Sequence, residues 1–292
     1  MCLEVVAGIS MSFYTGDAGV QRERRLHSLA KTIARPFLDA WQCRELVRVI
    51  VWRELSQRFR QSYFGWFWAV LSPLTLLGIY TFVFSKVVDI RGSTENYALS
   101  IFVGLILFNL FAELAHRAPM LLPEHAQFIK KSIFPLEVLG WTSLLRALTY
   151  AGIGLAVFFI FQLVLTGRIQ LTALLLPLLL IPFCLFLLGS IWLLAALGAF
   201  TRDVAFLIIT VIPPLMLVSP IFYAAEDVPV AIRLVTYINP LTPFIEVARD
   251  ILLLGWLPDP FAYVVGWFYA LIVFYGGYAF FMRYRSVVVD VL

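Results

Sequence analysis

RELSQRFRQSYFGWFWAVLSPLTLLGIYTFVFSKVV, residues 53–88, decides the class of this protein. A basic, aromatic segment passes directly into an apolar run from Trp66 to Phe84. About 20 apolar helical residues, rising about 1.5 Å each, cross a hydrocarbon layer roughly 30 Å thick. Arg53, Arg58 and Arg60 stand before that run, and clustered basic residues hold their flank on the cytoplasmic side.

The bulk of the chain reads the same way. Of its 292 residues 62% are hydrophobic and 14% charged, where a soluble domain has about half and about a quarter. Mean hydropathy is +0.91. Backbone polar groups in lipid must pair internally, so the apolar runs are helices or barrel strands. Their length, without polar alternation, excludes a barrel. The expected class is all-α and polytopic.

A net charge of +4 does not point to nucleic acid, because the basic residues cluster beside apolar spans. Topology and anionic head groups explain them there, and membrane lipid is the expected contact. Cys2, Cys43 and Cys184 are odd in number and scattered, with no metal or redox spacing.

Residues 1–40 read as a cytosolic tail; no basic stretch precedes their short apolar patch, as a signal peptide would require. Residues 41–65 read as an amphipathic helix. Leu46, Val49, Ile50, Trp52, Leu55, Phe59 and Tyr63 recur at helical spacing, with Arg44, Arg48, Arg53, Arg58 and Arg60 between them. Such a helix lies in a membrane interface. Residues 66–285 then hold six spans, near 66–88, 98–115, 137–166, 171–200, 204–223 and 262–282, and 286–292 form a second cytosolic tail. Pro73 is expected to kink the first span.

Ten of the 22 Lys and Arg precede the first span. Arg117, Lys130 and Lys131, then Arg202, then Arg283 and Arg285, fall on the same side if the spans alternate. The other side keeps Lys86, Arg91, Arg168, Arg233 and Arg249, with Arg146 inside the third span. This bias predicts a multi-pass membrane protein with both termini in the cytoplasm.

Two connections carry more than linkage. In the inner one, residues 117–137, Pro119, Pro123 and Pro135 bracket a short helix bearing Glu124, His125, Phe128, Ile129, Lys130 and Lys131. Its apolar and charged groups suit docking to a partner. The outer one, residues 224–260, is too apolar for a solvated loop and too interrupted by Pro229, Pro240 and Pro243 for a span. Two helices dipping back toward the membrane, near 228–238 and 242–254, are predicted. Irregular backbone at that depth needs protein or a water-filled cavity around it.

Absences narrow the chemistry. The chain has no GxxxxGK[ST] phosphate loop, HExxH or nucleophile elbow. His27, His116 and His125 read as titrating surface groups. Glu54, Glu124, Glu137 and Asp203 are isolated in sequence, which disfavours a membrane-embedded polyprenyl-sugar enzyme with a metal site. Few ionisable groups occupy the spans, which disfavours proton coupling. Aromatic residues abound instead. Most belong to interfacial belts or packing; Trp66, Trp68, Tyr80, Phe82 and Phe84 are candidates to line a path for sugar rings, whose CH faces rest on flat aromatic surfaces.

Two separated segments resemble the permease subunits of ABC-2 type polysaccharide exporters. In the first, Arg58 and Arg60 precede a Phe64-Gly65-x-x-Trp68 step, Pro73 lies within the span, and Phe84-Ser85 end it. In the second, Pro220-Ile221-Phe222-Tyr223 is followed by Asn239-Pro240, Pro243 and Arg249-Asp250. The resemblance covers roughly residues 41–285. It implies a homodimer paired with two copies of a separate cytosolic ATPase subunit, which binds ATP and Mg, so that this chain carries no cofactor and is not itself an enzyme. It implies a lipid-linked glycan as cargo: O-antigen, capsule or teichoic acid. Residues 117–137 would be the coupling element entering the ATPase, with Pro123, Glu124, His125, Phe128, Ile129, Lys130 and Lys131 as its contacts. The helix before the first span, with Arg53, Arg58, Arg60 and Tyr63, would be a gate. Tyr223, Asn239, Pro240, Arg249 and Asp250 would belong to the re-entrant closure of the far side. A drug or lipid exporter of the same fold is the alternative.

Overall fold

The computed structural model describes residues 36–38, 40–59, 63–65, 67–86, 94–126, 136–225 and 230–291. Helices dominate and no strand forms among them, as backbone satisfaction in lipid demands. Helix α1 is Arg44–Phe59 and α2 is Phe67–Lys86. Helix α3, Thr94–Arg117, runs into a 3₁₀ turn, Ala118–Met120, and a single helical turn α4, Leu121–Glu124. Then come α5, Val138–Thr166; α6, Leu176–Phe200, after a 3₁₀ turn Leu171–Leu175; and α7, Asp203–Val218. Two short helices, α8 at Val230–Ile238 and α9 at Thr242–Arg249, precede the long α10, Pro260–Val291. A π-helical turn, Asp250–Leu254, extends α9.

Among the described residues four helical stretches are long and apolar enough to cross a membrane: Tyr97–Glu124, Val138–Thr166, Leu171–Phe200 and Pro260–Arg285. Phe67–Leu76 and Asp203–Val218 are shorter apolar pieces. The protein is an all-α polytopic membrane protein, and the predicted spans fall on α2, α3, α5, α6, α7 and α10. Helix α2 continues through Pro73.

Helix α3 is the centre. Ala98, Leu99, Ile101, Phe102 and Val103 are almost wholly buried, and α2, α5, α6, α7 and α9 all pack on it. Helices α6 and α10 make the closest pair. Gly189 and Gly277 face each other there, and a Cβ on either would collide with the backbone of the opposite helix. Small residues let helices approach where lipid supplies no hydrophobic force between them. Trp192 of α6 fills the neighbouring space, 5.5 Å from the ring of Phe274 and 5.1 Å from that of Tyr278. Towards the other end, Phe183 and Phe186 of α6 hold Phe244 of α9 at 5.0 and 5.7 Å.

Helix α1 is separated from α2 by a turn at residues 63–65, where Gly65 takes φ +49°. Cβ sterics disfavour that conformation, and glycine has none. The face α1 turns to the bundle is formed by Cys43, Val47, Val51 and Leu55, against Val138 at the start of α5. Of the stripe expected from spacing, Leu55 is buried, but Leu46, Val49 and Trp52 point outward. A helix lying between a bundle and lipid would have an apolar partner on both sides, so spacing by itself does not say which apolar residues meet protein.

Candidate functional site

The two ends of the bundle differ in how they satisfy polar groups. At the α1 end the organising atom group is the carboxylate of Glu54, buried on the bundle face of α1. It accepts a hydrogen bond from Arg117 Nη2 at 3.0 Å and lies 3.3 Å from Arg146 Nε. His125 Nε2 is 3.9 Å from its second oxygen. Arg146, also buried, reaches Glu113 at 3.4 Å, and Arg117 is 4.0 Å from Glu124. One carboxylate thus ties α1 to the end of α3, to the loop that follows and to α5. Burial of unpaired charge costs several kcal/mol in practice, which is why carboxylates and guanidinium groups alternate here.

His125 donates from Nδ1 to the carbonyl of Leu121 at 2.9 Å, since a carbonyl can only accept. That fixes the ring so that Nε2 faces Glu54. The surface reading of His125 is therefore corrected: its side chain is 11% exposed. Glu54 and Glu124 are likewise not isolated. Neither is Glu137, whose carboxylate accepts from Arg285 of α10 at 2.7 Å and whose carbonyl accepts from Trp192 Nε1 at 3.2 Å. Sequence separation hid these pairs. Glu54 and Arg146 are far apart in the chain and meet only because α1 crosses α5.

At the opposite end, α7 stops at Val218 and the chain turns through Ser219, Pro220, Ile221, Phe222 and Tyr223. The carbonyls orphaned by the break are gathered in. The Tyr223 hydroxyl lies 2.9 and 2.8 Å from the carbonyls of Leu217 and Val218. Arg249 donates to the carbonyls of Ile221 at 2.8 Å and Tyr223 at 3.1 Å, and to Glu246 at 3.1 Å. Burial lowers the pKa of the Arg249 guanidinium, opposed chiefly by the Glu246 carboxylate. Asn239 bridges the hairpin: Nδ2 donates to Ser219 Oγ at 2.8 Å, while Oδ1 accepts from the Leu241 N–H at 3.0 Å. Tyr97 of α3 donates to the Phe222 carbonyl. Asp250 begins the π turn, which Gly255 closes at φ +72°, and Pro240 lies in the turn between α8 and α9.

The π turn breaks the helical ladder, and its carbonyls find side chains from elsewhere. Gln162 donates to Leu252 at 2.7 Å, Thr172 to Ile251 at 2.6 Å and Gln170 to Leu253 at 3.4 Å. Two short helices lie near the expected 228–238 and 242–254, but sequence reading missed these caps. Gln162 carried the available signal: a lone amide in an apolar span needs a partner.

Between the two ends a cavity of about 610 Å³ opens among α2, α3 and α5. Trp68, Ser72, Asn109, Glu113 and Tyr150 line it among apolar residues. Of the aromatic candidates, Trp68 lies in this wall, and Phe82 is exposed elsewhere on α2. The backbones of Arg58, Tyr80 and Phe84 are helical, but their side chains are not described. Arg60, Trp66, Phe128, Ile129, Lys130 and Lys131 lie outside the described residues. Arg53 is exposed on α1, Tyr63 is fully exposed in the turn, and Pro123 is half-buried beside Glu124 and His125. The last residue of α3, Arg117, and the described part of the loop after it, through Glu124 and His125, therefore join the Glu54 cluster.

This chain is similar to proteins named O-antigen export system permease protein RfbA. One from Klebsiella pneumoniae is 27% identical over 212 residues, covering 72% of this chain and 81% of its own length. A second from that organism is 28% identical over 215 residues, covering 73% and 82%. One from Myxococcus xanthus is 22% identical over 223 residues, covering 76% and 85%. The family pattern described as ABC-2 type transporter matches residues 45–253, from α1 through the π turn and so across both polar ends. That match spans most of the chain, and the protein belongs to the ABC-2 type transporter family.

Proposed function

We propose that the chain is the permease subunit of an ATP-driven exporter that moves a lipid-linked polysaccharide, of the O-antigen type, across the bacterial cytoplasmic membrane. Two copies would enclose the path and two cytosolic ATPase subunits would drive it. The named relatives support the cargo class. The structural observation that carries the mechanism is the Glu54 cluster. It joins the helix before the first span to Arg117, His125 and Arg146, and so to both elements flanking residues 117–137.

In this reading an ATPase closing on the 117–137 loops moves the α3 end and α5 together. Because Glu54 is paired to both, α1 moves with them and the path between the two copies opens. Aromatic and polar groups such as Trp68, Ser72, Asn109 and Tyr150 provide a wall on which a sugar can rest and exchange hydrogen bonds. The re-entrant hairpin closes the far side until the bundle shifts.

The test is co-purification from the native membrane with the chain tagged. A stoichiometric ATPase subunit is expected, and Phe128→Asp should release it, abolish glycan export and leave the permease in the membrane. Recovery of the chain alone under gentle extraction, or normal export by Phe128→Asp, would overturn the coupling assignment.

A further inference from the structure

A second groove, of about 690 Å³, lies between α1 and α5 and shares no lining residue with the α2–α3–α5 cavity. Its floor is apolar: Val47 and Val51 from α1, Trp141 and Leu145 from α5. Thr149, deeper along α5, adds no free donor, because its hydroxyl is bonded to the Leu145 carbonyl at 2.9 Å. Arg44 and Arg48 stand at the rim, one turn apart, with side chains 62% and 81% exposed. Arg44 sits over the Trp41 ring, 5.5 Å from its centroid. Glu45 approaches both guanidinium groups only at 3.9 and 4.0 Å, beyond hydrogen-bond length. Their donors remain available to an anion.

The floor continues along α5. Leu145, Thr149, Gly152, Ala156, Ile160 and Leu163 form one exposed stripe at three- and four-residue steps along most of the helix. Gly152 and Ala156 keep it shallow where it leaves the groove. A soluble partner would find a continuous apolar track beneath two cations, with nothing to end it. A lipid fits both parts: phosphate at the rim and an acyl chain down the track. Exposed Trp41 and Trp52 beside the rim suit head-group depth.

We infer that the α1–α5 groove is a binding site for one anionic phospholipid, its phosphate held by Arg44 and Arg48 and one acyl chain lying along the α5 stripe. The inference rests on α1 lying in the membrane interface, and not on the identity of the cargo. A lipid seated there would fill the space under α1 and hold the helix at its depth.

The test is native mass spectrometry of the purified full chain in detergent, with equimolar dioleoylphosphatidylglycerol and dioleoylphosphatidylcholine. Retention of phosphatidylglycerol should exceed that of phosphatidylcholine about thirtyfold, the scale set by two basic side chains at an anionic surface. Arg44→Gln with Arg48→Gln should reduce that preference to about twofold or less; both side chains are exposed, so folding is not at stake. Leu145→Trp should fill the track and lower retention of both lipids. Equal retention by the wild type, or an unchanged preference in the double arginine variant, would overturn the site. So would displacement of phosphatidylglycerol by substoichiometric decaprenyl diphosphate, which would assign the groove to the carrier of the cargo. Binding is read here without transport, so loss of the export reading would leave this result standing.

Discussion

Glu54 shows how much one side chain can decide. It sits on a basic helix whose other face is exposed, yet its carboxylate is buried and meets Arg117 at 3.0 Å and Arg146 at 3.3 Å. Removing one member of a buried pair leaves a charge uncompensated, which costs about 3–5 kcal/mol. Arg117 is 28% exposed and recovers part of that loss through water; Arg146, at 6%, does not. Glu54→Gln and Arg146→Gln should therefore each lower the thermal midpoint of the detergent-solubilised protein. Together they should cost less than the sum, with a coupling of about 0.5–3 kcal/mol. Strict additivity in that cycle would mean the two groups do not act as a pair.

At the scale of elements, the α6–α10 pair carries the tightest constraint. Gly276 and Gly277 are neighbours on α10, but a Cβ at Gly276 meets nothing within 4 Å, whereas one at Gly277 meets the Gly189 backbone. Backbone cannot yield as a flexible side chain does, and overpacking costs about 1–3 kcal/mol. Gly277→Ala should reduce the folded fraction in the membrane and the thermal midpoint, while Gly276→Ala should leave both near wild type. Similar effects from the two substitutions would show that helix propensity, not the close approach, governs this site. The segment between α7 and α10 follows a different logic. The carbonyls of its π turn are capped by donors from elsewhere, Gln162, Gln170 and Thr172, while its own Arg249 reaches back to the carbonyls of Ile221 and Tyr223.

Across the whole molecule the helices alternate. Glu54, Arg117, His125, Glu137 and Arg285 meet at one end, and Phe200 packs on Tyr284 there at 5.6 Å. Residues 162–172, 219–225 and 239–255 meet at the other. Arg202 follows α6 at the first end, and Arg168 follows α5 at the second. From the charge bias we propose that the first end faces the cytoplasm. In a chain with Cys2, Cys43 and Cys184 replaced by alanine, Arg168→Cys should react with an impermeant maleimide on intact cells. Arg202→Cys should react only after permeabilisation. The reverse pattern would invert the topology, and with it the side of the loop proposed to meet an ATPase.

The all-α polytopic class, the long apolar helices and the pair of short helices before the last of them were legible in the chain, because lipid leaves so few options. An apolar run must be helical, its length must match the bilayer, and prolines interrupt it where they stand. The apolar runs of α3, α5, α6 and α10 could be read in this way, as could the break at Pro240 between α8 and α9. The lipid code says nothing about partners. That Glu54 is buried while Val49 and Trp52 face outward depends on which way α1 rolls against α5. That Gln162 caps Leu252 depends on a π turn 90 residues later. Membrane helices gain no hydrophobic preference for one another over lipid, so small residues and sparse polar groups settle their packing. Those contacts join positions distant in the chain, and only the tertiary structure brought them together.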